Sequence, residues 1–444
     1  MTLMMTVSGT RGIIGETMTP TLAAELGAAF GSHLGGGKVV IGRDSRPSGP
    51  MVLAAVTSGL LATGCEVIDL GMVSTPGAAL MTVRHSAAGG VMITASHNPI
   101  MWNGIKFFTR QGCAPPPDLA ERVFDRYRRK AFDLVKVERI GRLSSDTSTN
   151  ETHVARVLEV LDVDAVRRMR TKVVLDSING AGCVSGRMLL ERLGCEVIHL
   201  NGEPDGRFAH TPEPLAENLT GLCDEVRRHV AAIGFAQDPD ADRLAVVDDT
   251  GRYIGEEYTL ALAAKFVFTR RPGPAAANLS TSRMIDDLAA AVGGIAVHRS
   301  PVGEANVVKA MQDNACVIGG EGNGGVIDPR IVWVRDSLVS MGFVLNLLAA
   351  ERRPLSVIVD AMPRYVMIKR KFDMPRDRIG AWLTRIRGIA GKGRINDTDG
   401  VRIDWPEGWV HLRPSNTEPI ARVIAEAADE ATAESLVRRA TACQ

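Results

Sequence analysis

Lys38-Val39-Val40-Ile41, followed by Gly64-Cys65-Glu66-Val67-Ile68, returns later in the chain as Lys172-Val173-Val174-Leu175 followed by Gly194-Cys195-Glu196-Val197-Ile198. Each copy reads as an apolar strand, a polar turn containing glycine, an amphipathic helix (residues 188–193 in the second copy) and a second Val/Ile strand. That order is the β-α-β pattern of α/β domains. A weaker third copy has its helix at 284–292, between strands expected at 275–279 and 294–297, with glycines again ending the helix. Three similar α/β domains follow. From about residue 365 the pattern changes: 366–370 and 410–412 read as strands and 377–387 and 432–442 as helices, a small α+β unit. The expected domains are 1–150, 151–252, 253–364 and 365–444.

A chain of 444 residues exceeds one ordinary core and leaves room for about three or four domains. At 45% hydrophobic and 23% charged residues it is globular throughout, with no tract of disordered composition. The formal net charge of +1 removes the general electrostatic argument for nucleic acid or an anionic membrane. The short basic run Arg126, Arg128, Arg129, Lys130 reads as a solvated helix face. Seven cysteines, scattered singly without a CxxC pair, argue against a disulfide framework or a zinc site and fit a reducing compartment. The first twelve residues lack the signal-peptide pattern, and the longest apolar stretch, 338–350, is about 13 residues, too short to span a bilayer. The expectation is a soluble, cytoplasmic protein.

Four segments carry chemistry. Thr94-Ala95-Ser96-His97-Asn98-Pro99 sets a small nucleophile beside an imidazole on a turn after the apolar run Gly90-Val91-Met92-Ile93. A serine hydroxyl can carry a covalent group if a base and a charge stabiliser are near. Lys106, ten residues on, is close enough in sequence to move a proton. Asp238-Pro239-Asp240-Ala241-Asp242-Arg243, before the strand-like Leu244-Ala245-Val246-Val247, puts carboxylates at alternate positions, suited to a hard divalent cation that also takes a phosphate oxygen. The bland alternative is an acidic surface turn. A calcium loop of EF-hand type needs glycine where Arg243 stands, and a haloacid-type phosphatase would put its nucleophilic aspartate after a strand, not before one. Gly319-Gly320-Glu321-Gly322-Asn323-Gly324-Gly325 offers a carboxylate and an amide on a flexible backbone, able to bracket vicinal hydroxyls or serve merely as a turn. Arg413-Pro414-Ser415-Asn416-Thr417-Glu418-Pro419 could cradle a dianionic phosphate or be a capped turn. Gly9-Thr10-Arg11-Gly12 adds another arginine. His33, His85, His153, His199 and His210 match no ligand spacing.

Taken in order, Ser8-Gly9-Thr10-Arg11-Gly12, TASHNP with Asn103-Gly104-Ile105-Lys106, DPDADR, GEGNGG and RPSNTEP, the chain resembles the α-D-phosphohexomutases over nearly its whole length. The resemblance implies a heart-shaped four-domain architecture: three α/β/α domains with mixed sheets and a C-terminal α+β domain of TATA-binding-protein-like form, a mobile phosphate clamp, each contributing one loop to a central cleft. It implies Ser96 as a phosphoserine that also meets the metal, Asp238, Asp240 and Asp242 as Mg²⁺ ligands, and Arg243 on the serine phosphate. Glu321 and Asn323 would bind sugar hydroxyls, with Gly303 and Glu304 beside them. Arg413, Ser415, Asn416 and Thr417 would hold the phosphate that is not transferred. Arg11, His97 and Lys106 match positions of transition-state and acid-base work, Lys106 as the leading general base. The implied reaction passes through a hexose 1,6-bisphosphate, which also serves as activator. The sugar loop departs from the serine and histidine many members carry there. With Val302-Gly303-Glu304 upstream it looks most like phosphoglucosamine mutases, with bifunctional phosphomannomutase/phosphoglucomutases the alternative. An acidic Glu304 near C2 would favour an ammonium. The expected partner is a hexose phosphate and neither nucleic acid nor membrane, on a monomer or homodimer. Two rivals are a non-catalytic sugar-phosphate-binding protein and a phosphatase that loses the phosphoryl group to water.

Overall fold

The computed structural model describes residues 3–415 and 420–444, the side chains of 376 and 377 excepted; Asn416 and Thr417 therefore lie outside the described residues. The first sheet has seven strands in the order Met4–Thr6, Gly9–Ile13, Trp102–Thr109, Gly89–Ile93, Gly37–Arg43, Cys65–Met72 and Leu143–Ser145. Gly37–Arg43 pairs in parallel with Cys65–Met72 and Gly89–Ile93, whereas Trp102–Thr109 runs antiparallel to Gly89–Ile93. The Val/Ile runs are buried on both faces, as parallel strands require. Val39, Ile41, Val67 and Val91 pack on one side of the sheet with Leu26, Phe30, Val52 and Val56. Val40, Ile68 and Met92 face the other side. Pro20–Leu34 starts at Thr19, whose side chain accepts from Leu22 N, and ends at Gly35 in the left-handed conformation, a polar cap and a glycine stop.

The repeat seen in the sequence is a repeat in space. The second sheet orders Leu244–Val247, Ile233–Gln237, Lys172–Asp176, Glu196–Leu200; the third orders Val297–Ser300, Ala275–Asn278, Ile318–Glu321, Gly325–Ile327. In each of the three sheets one parallel strand is followed directly by an antiparallel neighbour: Gly89–Ile93 by Trp102–Thr109, Ile233–Gln237 by Leu244–Val247, Ile318–Glu321 by Gly325–Ile327. The serine, aspartate and glycine-rich segments are the three connections at this one topological position. They lie beyond the carboxyl ends of parallel strands, where open α/β sheets bind ligands.

Three expectations shift. The helix expected at 188–193 begins earlier, as Gly182–Arg192. The strand expected at 294–297 is Val297–Ser300, because Gly293 and Gly294 have φ of +103° and +75° and form the turn that precedes it. The glycine-rich segment is a tight hairpin and not a flexible loop. A Cβ on Gly320 would fall on the carbonyl of Gly325 across the ladder, so these glycines permit close approach of two strands.

The fourth sheet is antiparallel: Val366–Asp373, Ile420–Ala427, Gly408–Pro414, Val401–Trp405, Arg394–Asn396. The helices Arg376–Ile386 and Glu430–Thr441 accompany it around a core containing Trp382, Val410, Val423 and Leu436. The three α/β/α units share one continuous core that runs from Val40 and Met92 through Val173 and Phe235 to Leu260 and Ile318. The α+β unit keeps its own core. The apolar helix Ser337–Glu351 belongs to the shared core, and no helix among the described residues is long and apolar enough to cross a membrane.

Candidate active site

Ser96 follows Gly89–Ile93 with φ +50°, an uncommon backbone state that a serine occupies only when its surroundings fix it. The fixing is done from beneath. Thr94 Oγ1 accepts from Ser96 N at 2.9 Å and donates to Asp44 Oδ2 at 2.6 Å. Arg46, fully buried, pairs with Asp44 through Nε at 3.1 Å. Its Nη1 and Nη2 donate to the carbonyls of Ser96 (2.7 Å), Asn98 (2.6 Å), Pro99 (2.8 Å) and Trp102 (2.9 Å). Burial pushes the Asp44 carboxyl up while Arg46 and Thr94 pull it down.

Ser96 Oγ donates to Asp238 Oδ2 at 3.0 Å, across the boundary between the first and second units. Asp238, Asp240 and Asp242 are all buried and can each present an oxygen within 4.8 Å of the others'. The loop curls around Asp238 Oδ1, which accepts from the backbone N of Asp242 and of Arg243, each at 3.1 Å. Thr75, in the first turn of the helix Thr75–Arg84, donates from Oγ1 to Asp240 Oδ2 at 2.6 Å, and its N donates to Asp240 O at 2.9 Å. The aspartate loop is thus fastened to the unit that carries the serine. Burial and the adjacent Asp242 and Asp240 push the Asp238 carboxyl well up. For Asp240 burial works upward too, but Lys106 and Thr75 outweigh it and hold the carboxyl low. Asp240 Oδ1 and Asp242 Oδ1 are buried without a hydrogen-bond partner. Orphaned carboxylate oxygens converging with a serine hydroxyl fit a hard divalent cation.

Lys106, on Trp102–Thr109, lies 2.7 Å from Asp240 Oδ2 and 3.6 Å from Asp242 Oδ2. Burial disfavours its charge, yet Asp240 and Asp242 raise its pKa overall. His97 is the reverse case: Arg243, burial and Arg11 push it down to about 2, and its buried Nδ1 has no partner. Arg11 Nη1 donates to Asn98 Oδ1 at 3.0 Å; burial and Arg243 lower its pKa.

The third unit closes the cleft. Glu321 ends its strand and accepts from Asn278 Nδ2 at 2.9 Å and from Gly303 N at 3.1 Å. Gly303 has φ +120°, a conformation open in practice to glycine alone. Arg335 donates to Asp242 Oδ2 at 2.7 Å, Glu304 Oε2 at 2.9 Å and Glu321 Oε2 at 3.0 Å. Burial opposes the Arg335 charge, but these three carboxylates raise its pKa well above the ordinary value. Burial pushes Glu304 up against the pull of Arg335.

A cavity of about 220 Å³ is lined by Arg11, Lys106, Arg243, Glu304, Glu321, Asn323 and Arg335, among others. Besides the two aspartate oxygens and His97 Nδ1, Arg243 Nε and Asn323 Oδ1 are buried here without hydrogen-bond partners. Such a concentration of unsatisfied polar atoms marks a place where a polar ligand completes the network. Of the C-terminal segment, Arg413 and Ser415 do not line this cavity. Arg413 Nε pairs with Asp399 Oδ2 at 3.1 Å, which also accepts from Val302 N at 2.9 Å, linking the fourth unit to the rim. Asp44, Arg46, Thr75 and Arg335 were not singled out in the sequence. The available signal was a run of charge directly after an apolar strand, as in Gly42-Arg43-Asp44-Ser45-Arg46.

Fold and site together define an enzyme that moves phosphoryl groups on a small polar substrate. The chain belongs to the phosphoglucomutase/phosphomannomutase family: its alpha/beta/alpha domains I, II and III match residues 3–133, 151–251 and 255–365, and its C-terminal domain matches 367–442. It is a phosphohexomutase, an isomerase acting by phosphotransfer within a hexose phosphate. A probable phosphoglucosamine mutase of Methanopyrus kandleri is 38% identical over 97% of this chain and 95% of its own. A phosphoglucomutase/phosphomannomutase of Thermococcus kodakarensis is also 38% identical, over 95% of this chain and 94% of its own. Among solved structures, a phosphoglucomutase/phosphomannomutase family protein from Burkholderia thailandensis superposes with a TM-score of 0.86 at 28% identity, covering 98% of this chain and 96% of that one.

Proposed function

We propose that Ser96 carries the phosphoryl group and exchanges it between O1 and O6 of a hexose phosphate. The observation that carries this reading is the 3.0 Å bond from Ser96 Oγ to Asp238, in a loop whose geometry Arg46 fixes. Phospho-Ser96 loses its Oγ–P bond as a new P–O bond forms to the free sugar hydroxyl, giving a bound hexose 1,6-bisphosphate. The bisphosphate turns around, and Ser96 takes back the other phosphoryl group. Added hexose 1,6-bisphosphate, as activator, phosphorylates an enzyme that has lost its group. Asp238, Asp240 and Asp242, with an oxygen of the phosphoserine, would hold one Mg²⁺, which when bound supplies positive charge to the phosphoryl oxygens. Arg243 and Arg11 bear on the same oxygens. Lys106 is the leading general base and takes the sugar hydroxyl proton; the acid-base groups Lys106 and His97 return it to Ser96 Oγ as the phosphoryl group leaves. Glu321 and Asn323, with Gly303 and Glu304, position sugar hydroxyls, and Arg413 and Ser415 take the resting phosphate. Closure of the fourth unit keeps water from the phosphoserine and disfavours hydrolysis.

Glucosamine phosphate is the first substrate reading, supported by the name of the Methanopyrus relative and by Glu304 in the cleft. Mannose and glucose phosphates are the second, favoured by the Arg335–Glu304 ion pair at 2.9 Å, which leaves less charge free for an ammonium. The test is intact mass and turnover: active enzyme carries about 80 Da on the Ser96 peptide, and Ser96→Ala abolishes turnover while folding normally. Normal turnover by Ser96→Ala overturns the mechanism. Steady-state comparison of the three sugars follows, a hundredfold preference corresponding to about 2.7 kcal/mol.

A further inference from the structure

The aspartate loop is clasped from two sides. On one, Thr75 of the first unit donates from Oγ1 to Asp240 Oδ2 at 2.6 Å and from N to Asp240 O at 2.9 Å. On the other, the third unit sends Arg335 to Asp242 Oδ2 at 2.7 Å, and Ser337 to Ala241 O from Oγ at 2.8 Å and from N at 3.3 Å. Ala241, held between them, has φ +56°, an uncommon state for alanine that persists only where its surroundings impose it. Each clasp has a chain neighbour whose side chain is used elsewhere: Ser74 beside Thr75, and Asp336 between Arg335 and Ser337.

Those neighbours meet on one imidazole. His153, in the helix Thr149–Leu158 at the start of the second unit, matches no ligand spacing in the sequence and is fully buried. Its Nε2 donates to Asp336 Oδ2 at 2.8 Å, and its Nδ1 faces Ser74 Oγ at 3.5 Å. Both partners also cap helices: Ser74 Oγ accepts from Gly77 N at 3.1 Å, and Asp336 Oδ1 from Leu338 N at 2.8 Å. A Cβ on Gly77 would press on Thr149 Cγ2 at 3.1 Å, so glycine there lets the His153 helix come close. An enclosed imidazole and carboxylate add little stability over apolar residues filling the same space, because both lose their water. What the pair supplies is direction, fixing the starts of two helices relative to each other.

We propose that His153 is a positioning residue of the aspartate loop: by joining Ser74 to Asp336 it holds the two clasps at a fixed separation, and with them the spread between Asp240 and Asp242. It lies behind the clasps and lines no part of the cleft. The inference rests on the proposed metal role of these aspartates for one of its readouts and on geometry alone for the other. Mg²⁺ demands near-ideal octahedral oxygens, and loss of a group that orients a metal ligand weakens affinity by about 10–100-fold. His153 acts through Thr75 and Arg335, so the lower figure applies. Glu321 keeps Asn278 and Gly303 as partners, so the grip on the sugar is spared.

The experiment measures hydrogen exchange across 238–242 in metal-free protein, Mg²⁺ affinity by calorimetry, and kcat and KM for glucose 6-phosphate. His153→Leu fills the space without a donor, His153→Asn is too short to reach Asp336, and His153→Gln returns an amide N–H to the place of Nε2. Val157→Ala, buried on the same helix, controls for lost stability alone. In the Leu and Asn variants the loop exchanges about tenfold faster, Mg²⁺ binds about tenfold more weakly and kcat falls while KM stays within about threefold. His153→Gln and Val157→Ala stay near native. Native exchange and affinity in His153→Asn overturn the proposal, as does an equal change in Val157→Ala. If His153→Leu does not fold, the contrast between Asn and Gln decides, and equal values overturn the proposal. A native chain that binds no Mg²⁺ overturns the metal reading alone, and metal-free exchange then judges the role of His153.

Discussion

Arg46→Lys tests the claim that the nucleophile is aimed by a residue that never touches substrate. Lysine keeps the charge opposite Asp44 but presents one point of donation in place of a planar fork. The native guanidinium holds four carbonyls of the serine loop at 2.6–2.9 Å and Asp44 at 3.1 Å. A lysine in the same space reaches about two of these groups, leaving at least two buried carbonyls unpaired. Each charged hydrogen bond is worth about 1.5–3 kcal/mol, so losing two of them gives a local loss of ~3–6 kcal/mol. Ser96, at φ +50°, relaxes first, and an ångström of misplacement slows transfer by about a hundredfold. The cleft cations are untouched, so KM for the sugar phosphate stays within about threefold. The assay follows Ser96 phosphorylation by hexose 1,6-bisphosphate in a single turnover, read by intact mass, with a urea titration for stability. Native transfer rates in Arg46→Lys refute the argument.

Three further outcomes follow. Mg²⁺ raises the Tm of the native protein and leaves that of Asp240→Asn/Asp242→Asn unchanged; an equal rise in both removes the metal from the triad. Glu257, beneath the glycine hairpin, is pushed up to about 8, chiefly by burial. The folded chain then holds a proton that the unfolded chain, with an ordinary carboxyl near 4.3, gives up. That contribution is complete below pH ~4.3 and is lost as pH rises towards ~8, so Glu257→Gln flattens the fall in Tm over this window; parallel native and variant curves refute it. Glu304→Gln lowers kcat/KM for glucosamine 6-phosphate more than for glucose 6-phosphate, by about tenfold if the carboxylate meets the ammonium. Equal losses show that Arg335 has already claimed the charge.

The first two α/β/α units were legible because a parallel strand buried on both faces reads as a continuous apolar run, as 39–41 and 173–175 do; the third was fainter because its central strand, Ala275–Asn278, is built on alanine. The ends were less legible. Cys316 and Val317 are apolar and stand directly before the strand Ile318–Glu321, yet Cys316 N returns to Met311 O and closes the helix Glu304–Asp313. The glycines near Glu321 suggested flexibility because composition does not reveal what lies across the ladder. Arg46 and Arg335 escaped notice for a related reason. An arginine's partners are distant in sequence, Trp102 for one and Asp242 for the other, and only the folded chain shows that their charge is enclosed. Ser96 and the aspartates stood out because their chemistry is compressed into six residues.

The shared core of the first three units has a consequence for how such enzymes can be rebuilt. Serine, metal loop and sugar hairpin sit on one mechanical body, stitched by Thr75 to Asp240 and by Arg335 to Asp242. The α+β unit, with its separate core, joins that body through contacts such as Ser280 to His411 and Val302 to Asp399. On the proposed roles, a graft exchanging residues beyond about 365 between relatives would re-aim the proposed grip on the phosphate that is not transferred and leave the serine, the aspartates and the hairpin assembled, making the C-terminal unit an interchangeable part.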